Sequence, residues 1–284
     1  MDNALCRSGI HLSKGNLMPH PNEESTSNPL EITQDGGVLT LTMNRPEVKN
    51  AIDFAQWRRL AAALGDAVFD TSVRAVVLTG SNGVFSSGGQ LGADGPSHPL
   101  DRMRVISAAA IALHDFPKPT IAKVPGPAIG GGWNLALCCD LVVCSSNATF
   151  SQVFPRRGLS VDLGGSWLLP RLIGMQKAKL LTMTGDKLDA AEVEQLGLVT
   201  RVVEPEVLDI EVDALAQRLA AGPPVAMSLT KSLMHQAAIS DFTASLESEA
   251  MAQAVNFGSE DIENGFEAFK ARTTPAFTGR WRFE

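Results

Sequence analysis

Two glycine-rich turns hold the backbone groups of this sequence that are best placed to do chemistry. Phe85 to Leu91 reads FSSGGQL, and Ile129 to Asn134 reads IGGGWN. A backbone N–H exposed at such a turn, just ahead of a helix, is a ready anion-binding group. Two turns can aim two donors at one oxygen and so stabilise an oxyanion, each donor contributing roughly 2.7–4 kcal/mol to the transition state. The same glycines would serve equally if they only permitted tight turns or close helix packing, and composition leaves both readings open. Neither turn is a nucleotide loop: there is no GxxxxGK[ST], and VFSSGGQL is not GxGxxG.

Other reactive side chains suggest less. Cys6, Cys138, Cys139 and Cys144 form no CxxC pair, and the last three lie in the apolar run LALCCDLVVC, as small buried hydrophobes of a reducing compartment would. His98 and His114 have no partner carboxylate at a recognisable spacing. His235 falls in a helical pattern, and His11 and His20 sit in a polar leader. No His/Cys/Asp cluster has metal-ligand spacing, so no metal is expected. Asp140, closing an apolar helix, reads as structural, and the sequon Asn147-Ala148-Thr149 as accidental.

The composition is that of a soluble globular chain. Its 284 residues are 44% hydrophobic, too apolar for a disordered protein and long enough for a large core. Lys and Arg number 24 against 31 Asp and Glu, a net charge of -7, which disfavours nucleic acid as a partner. Met1 to Asn16 lacks the apolar block of a signal peptide, and no run of about 20 uncharged apolar residues predicts a membrane span. The expectation is a cytoplasmic protein with no membrane partner.

The elements that must position the turns recur along the chain. Residues 1–28 read as a disordered leader, within which Met18 offers an alternative start. GVLTLTMNRPE is a strand bounded by Gly37 and Pro46, and Asn50 to Phe69 a helix with Asn50 as its cap. RAVVLTG is a strand ending at the first glycine turn. A helix over Met103 to Phe116 leads to the strand TIAKVPG and the second turn, which opens the helix WNLALCCD. LVVCS and ATFSQ are further short strands. GADGPSHPL, between Leu91 and Asp101, is a candidate flap. Strands stop after Ala190, and helices follow at AAEVEQLGLV, Val212 to Ala221, Val225 to Ala238 and Thr243 to Phe257. Alternating strands and helices imply an α/β core. It spans residues 29–205, with a helical C-terminal region at 206–284.

These motifs carry a resemblance. NRPEVKNA, VRAVVLTG, FSSGG, AIGGGWNLALCCDLVV, GLVTRVV and AFKARTTPAFTGR occur in the order of the crotonase, or enoyl-CoA hydratase/isomerase, family, from Leu30 to Arg280. The resemblance implies a crotonase-like ββα spiral core and a helical C-terminal trimerisation region. It also implies acyl-CoA thioester substrates, with coenzyme A present only as part of the substrate, and a homotrimer or dimer of trimers. By this likeness the oxyanion donors are the N–H groups of Ser87 and Gly131. Ser86, Gly88, Gly89 and Gln90 line the thioester and pantetheine path, with Gln90 standing where the motif has aspartate. Lys49 and Lys270 lie near the CoA phosphates, Lys270 from a neighbouring subunit.

The family's hydratases use two glutamates. The corresponding residues here are Asn134 and Phe154, neither of which exchanges a proton, so ordinary hydration by a carboxylate pair is doubtful. One acid remains in the region: Asp162 in GLSVDLGGSW, flanked by Val161 and Leu163. Partial desolvation would raise its pKa toward useful proton transfer. A single carboxylate suffices to shift a double bond, and the stretch FSQVFPRRGLSVDLGGSWLLPRLIG resembles the subgroup containing epoxyphenylacetyl-CoA isomerase. Asp162 reads otherwise as a helix cap. Trp133 and Trp167 read as core or acyl-pocket residues.

The leading expectation is therefore an enoyl-CoA double-bond isomerase of fatty-acid or aromatic-acid breakdown. The alternatives are a hydratase, an aryl-CoA dehalogenase with Asp162 as nucleophile, and a non-catalytic acyl-CoA binder.

Overall fold

The apolar β-branched runs pair into a sheet that is covered on both faces. β1 (Leu30–Asp35) and β2 (Val38–Met43) are antiparallel, and β2 then lies parallel to β3 (Ala75–Gly80). β4 (Thr120–Val124), β6 (Leu141–Ser145) and β9 (Arg201–Val203) continue in parallel, giving six strands in the order β1-β2-β3-β4-β6-β9. A smaller sheet joins β5 (Ala128–Ile129), β7 (Thr149–Ser151) and β8 (Lys187–Asp189). The computed structural model describes residues 28–92, 95–96 and 98–282.

Alternation along the strands sends side chains to two cores. Val76 and Leu78 of β3 join one cluster with Trp57, Leu60 and Leu64 of α1 (Phe54–Phe69) and Ala109 and Leu113 of α2 (Pro99–His114). Ala75 and Val77 face the other way, against Leu208, Val212 and Ala216 of α7 (Leu208–Ala220). Burial on both faces is what a parallel sheet requires, and it explains why β3 is apolar or small throughout. α3 (Gly131–Leu137), α4 (Gly165–Ile173), α5 (Met175–Thr184) and α6 (Ala190–Leu196) complete the core region. α8 (Pro224–Ala237), α9 (Phe242–Asn256) and α10 (Glu260–Ala271) end the chain.

Several expectations need correction. Asp53, not Asn50, caps α1: its carboxylate accepts the Gln56 N–H in a capping box. Asn50, at φ 53°, instead accepts the Arg45 N–H and donates to the carbonyls of Ser81 and Val84, tying the β2–α1 turn to the first glycine turn. Strands do not stop at Ala190, because β9 pairs with β6; three residues show too little alternation to read as a strand. α2 begins at Pro99, capped by His98 Nδ1. The leader with Cys6, His11, Met18 and His20 lies outside the described residues but for Asn28, and so do Ala93, Asp94 and Ser97 of the candidate flap. No helix among the described residues is long and apolar enough to cross a membrane.

Candidate active site

The backbone donors of the first turn can be accounted for one by one. Ser86 N–H donates to the Pro127 carbonyl, Ser87 N–H to the Lys49 carbonyl (3.0 Å) and Gly88 N–H to Ser86 Oγ (3.1 Å). Gln90 N–H donates to the Ile52 carbonyl. Among the described residues no acceptor takes the Gly89 N–H, and Gly89 is exposed. The expectation for Ser87 is thus corrected: its amide is committed to the fold, and Gly89 carries the open donor. Ser86 is likewise fully buried, its hydroxyl donating to the Asn50 carbonyl at 2.7 Å, so it braces the turn rather than lining a path.

The second turn meets the first closely. Gly131 begins α3, and its N–H has no acceptor among the described residues. A Cβ placed on Gly88, at φ +91°, would lie 3.0 Å from the Ile129 carbonyl and 3.2 Å from the Gly131 nitrogen. A Cβ on Gly132 would lie 2.5 Å from the Ser86 carbonyl. Only glycine permits this approach of turn to helix. A Cβ on Gly131 would stand 3.8 Å from the Gly89 nitrogen and 3.6 Å from Asp162 Oδ1. Two unengaged amides and one carboxylate oxygen therefore surround the same point.

Asp162 Oδ1 is buried with no hydrogen-bond partner. Burial pushes the carboxyl up to about 6, opposed weakly by a hydrogen bond from its own backbone N–H. It does not cap α4, whose N-cap is Gly164 and receives no side-chain bond. Its carbonyl is pinned instead, accepting from Gly165 N–H (3.0 Å) and Asn134 Nδ2 (2.9 Å). Leu163 follows in left-handed backbone at φ 47°, an unusual conformation for a branched residue, and its carbonyl accepts from the Cys138 thiol.

Asn134 is fully buried and both ends of its amide are engaged, Nδ2 by Asp162 and Oδ1 by Gln152 Nε2 at 2.9 Å. The expectation that it contacts substrate is corrected: it supports the loop that carries Asp162. Phe154 is buried, 3.8 Å from where a Gly130 Cβ would stand, and forms an apolar wall. Gln90 Oε1 accepts from Arg45 Nη1 at 2.7 Å, and the same nitrogen reaches Asp53 at 3.0 Å, anchoring the chain just beyond Gly89. Lys49 is exposed in left-handed backbone. Lys270 is exposed and pairs with Glu267 at 2.7 Å, far along the chain on α10. The structure brings neither lysine to the point where Gly89, Gly131 and Asp162 meet by any contact among the described residues.

Sequence reasoning missed Arg45, whose four side-chain bonds link elements up to 45 residues apart. It also missed a cluster. His114 Nδ1 lies 2.7 Å from Asp115 Oδ1, and the His114 and His235 rings stack at 4.4 Å. Their ligand atoms and that of Asp115 fall within 4.8 Å of one another. The partner carboxylate is the adjacent residue, and His235 arrives from α8. The three core thiols are buried, and burial pushes Cys138 and Cys144 up to about 12, which makes them inert.

The family model described as Enoyl-CoA hydratase/isomerase matches residues 33–280. A Rhodobacter capsulatus protein named "Probable enoyl-CoA hydratase" is 37% identical over 248 residues, 86% of this chain and 95% of that one. The 1,2-epoxyphenylacetyl-CoA isomerase of Escherichia coli is 34% identical over 251 residues, covering 86% and 96%. A Thermobifida fusca structure determined in complex with CoA superposes with a TM-score of 0.76 at 35% identity, covering 81% of this chain and 93% of that one.

Proposed function

From the premise that this chain belongs to the enoyl-CoA hydratase/isomerase family, a crotonase-like α/β fold with C-terminal helices, we propose that it is an enoyl-CoA double-bond isomerase with Asp162 as its single acid/base. The observation that carries this reading is the unpartnered, buried Asp162 Oδ1 beside the open amides of Gly89 and Gly131.

The chemistry follows from that arrangement. The thioester oxygen of a 3-enoyl-CoA accepts from the Gly89 and Gly131 N–H groups. The Asp162 carboxylate takes a proton from C2, and the C–H electron pair moves into a dienolate whose charge rests on that oxygen, where both amides stabilise it. The protonated carboxyl returns the proton at C4, giving the conjugated 2-enoyl-CoA. A pKa of about 6 suits both halves, since the group must take and give the proton near neutral pH. Asn134 and Phe154 supply no second carboxylate to activate water, which is what favours isomerisation over hydration. Coenzyme A enters as part of the substrate, and Lys49 and Lys270 remain proposed neighbours of its phosphates. A homotrimer fits the exposed apolar side chains Phe242, Met251, Phe266 and Phe269 of the C-terminal helices.

The test presents purified protein with matched 3-enoyl and 2-enoyl thioesters and follows the conjugated enoyl-thioester absorbance. Conjugation of the 3-enoyl compounds is expected. Loss of conjugation from the 2-enoyl compounds by addition of water would make the enzyme a hydratase instead.

A further inference from the structure

The C-terminal ends of two helices meet beside the core. α2 closes on His114, and His235 falls in the last turn of α8. The two positions are 121 residues apart, so no spacing in the sequence joins them. Asp115 follows α2 at φ −87° and ψ 5°, outside the helix, which lets its carboxylate come alongside the preceding side chain. Within a helix, adjacent side chains do not face each other. His114 Nδ1 thus stands 2.7 Å from Asp115 Oδ1, and the His235 ring stacks on the His114 ring at 4.4 Å. One ligand atom from each of the three lies within 4.8 Å of the others.

The isomerisation uses none of these groups. We propose that His114, Asp115 and His235 bind a divalent transition-metal ion of the zinc type, which ties α8 to the core. Two imidazoles and a carboxylate are a donor set for such an ion, with water completing its shell. Ligands about 2.0–2.2 Å from zinc stand roughly 3–3.5 Å apart, close to the spacing that His114 and Asp115 already have. His235 reaches it by turning out of the stack, and neither histidine is buried. Charge favours a cation as well. The carbonyl end of a helix carries partial negative charge, and both histidines stand at such an end. The neighbouring cation is Lys231, one turn before His235 on α8, and Asp140 compensates it at 2.9 Å. Asp115 makes no other ion pair among the described residues. A tie of this kind matters to α8 because none of its residues is buried.

Protein stripped of metal by a chelator and titrated calorimetrically with Zn²⁺ is expected to bind one ion per chain. His114→Gln and His235→Gln should each weaken binding by at least about 10–100-fold, the loss typical even for a group that only supports a ligand. Asp115→Asn changes an exposed side chain and should weaken binding too, so it serves if a histidine variant fails to melt cooperatively. His98→Gln and the double variant His11→Gln/His20→Gln should bind as the parent does. Zn²⁺ should also slow hydrogen exchange along α8 in the parent and not in His235→Gln. Binding that survives loss of both His114 and His235, or that disappears with His11 and His20, overturns the site. Binding that leaves exchange along α8 unchanged overturns the tie. No readout involves turnover, so failure of the isomerase reading would leave these results as they are.

Discussion

Asn134 Nδ2 and the Asp162 carbonyl oxygen are 2.9 Å apart, joining residues separated by 28 positions. This bond fixes the backbone of the carboxylate that lies beside Gly131, and Gln152 fixes Asn134 in turn. The side chain of Asp162 is left unbonded at Oδ1 while its main chain is held, an arrangement suited to a group that must move a proton without moving itself.

Asp162→Asn keeps the shape and removes the proton exchange. Turnover of 3-enoyl thioesters should fall by roughly 10²–10⁴-fold, while calorimetric affinity for a saturated thioester stays unchanged. Equal loss of binding and turnover would argue that Asp162 contributes shape rather than proton transfer.

The pH profile follows from the same carboxyl. Since the base must be ionised, kcat/KM should rise with pH through about 6 and then level. The stability dependence has the opposite sense. The folded state holds this proton more tightly than the unfolded chain, so the group costs stability progressively as pH rises from about 4 to about 6, up to roughly 2–3 kcal/mol. Asp162→Asn should therefore melt at higher temperature than the parent above pH 6 and converge with it near pH 4. Melting curves at the two pH values check this.

Asn134→Ala removes two buried hydrogen bonds and leaves the Gln152 amide without a partner, a cost of roughly 1–3 kcal/mol for the unsatisfied group. A purely structural role would lower only the melting temperature. A positioning role should also lower kcat more than it raises KM and move the acid limb of the pH profile toward the ordinary carboxylate range as water reaches Asp162.

Gly88→Ala places a Cβ at φ +91°, 3.0 Å from the Ile129 carbonyl. The strain should cost about 1–3 kcal/mol in denaturant unfolding and push the two turns apart. Turnover should fall by more than the loss of folded protein explains, because the Gly89 and Gly131 amides would no longer converge. An equal fall in both would place the turn outside the chemistry.

Much of the core was legible in the sequence because its strands are short apolar runs bounded by turn-forming residues. β3, β4 and β6 appear within a residue or two of where RAVVLTG, TIAKVPG and LVVCS place them. β9 was not legible, since its place in the sheet comes from pairing with β6 rather than from its own three residues. The cap of α1 was misread for a similar reason: Asn50 and Asp53 are both good caps, and only the turn between β2 and α1 selects Asp53.

The sequence by itself determined which groups this protein has to work with: two glycine turns, one acid between apolar neighbours in the loop after them, and no carboxylate at positions 134 and 154. Tertiary structure alone decided which of them are free. The resemblance pointed to Ser87 as the donor in FSSGGQL, but the Lys49 carbonyl, 38 residues away, engages the Ser87 N–H and leaves that of Gly89 open. Hydrogen bonding between distant segments is set by how strands and turns pack, a nonlocal outcome that no spacing within the motif encodes.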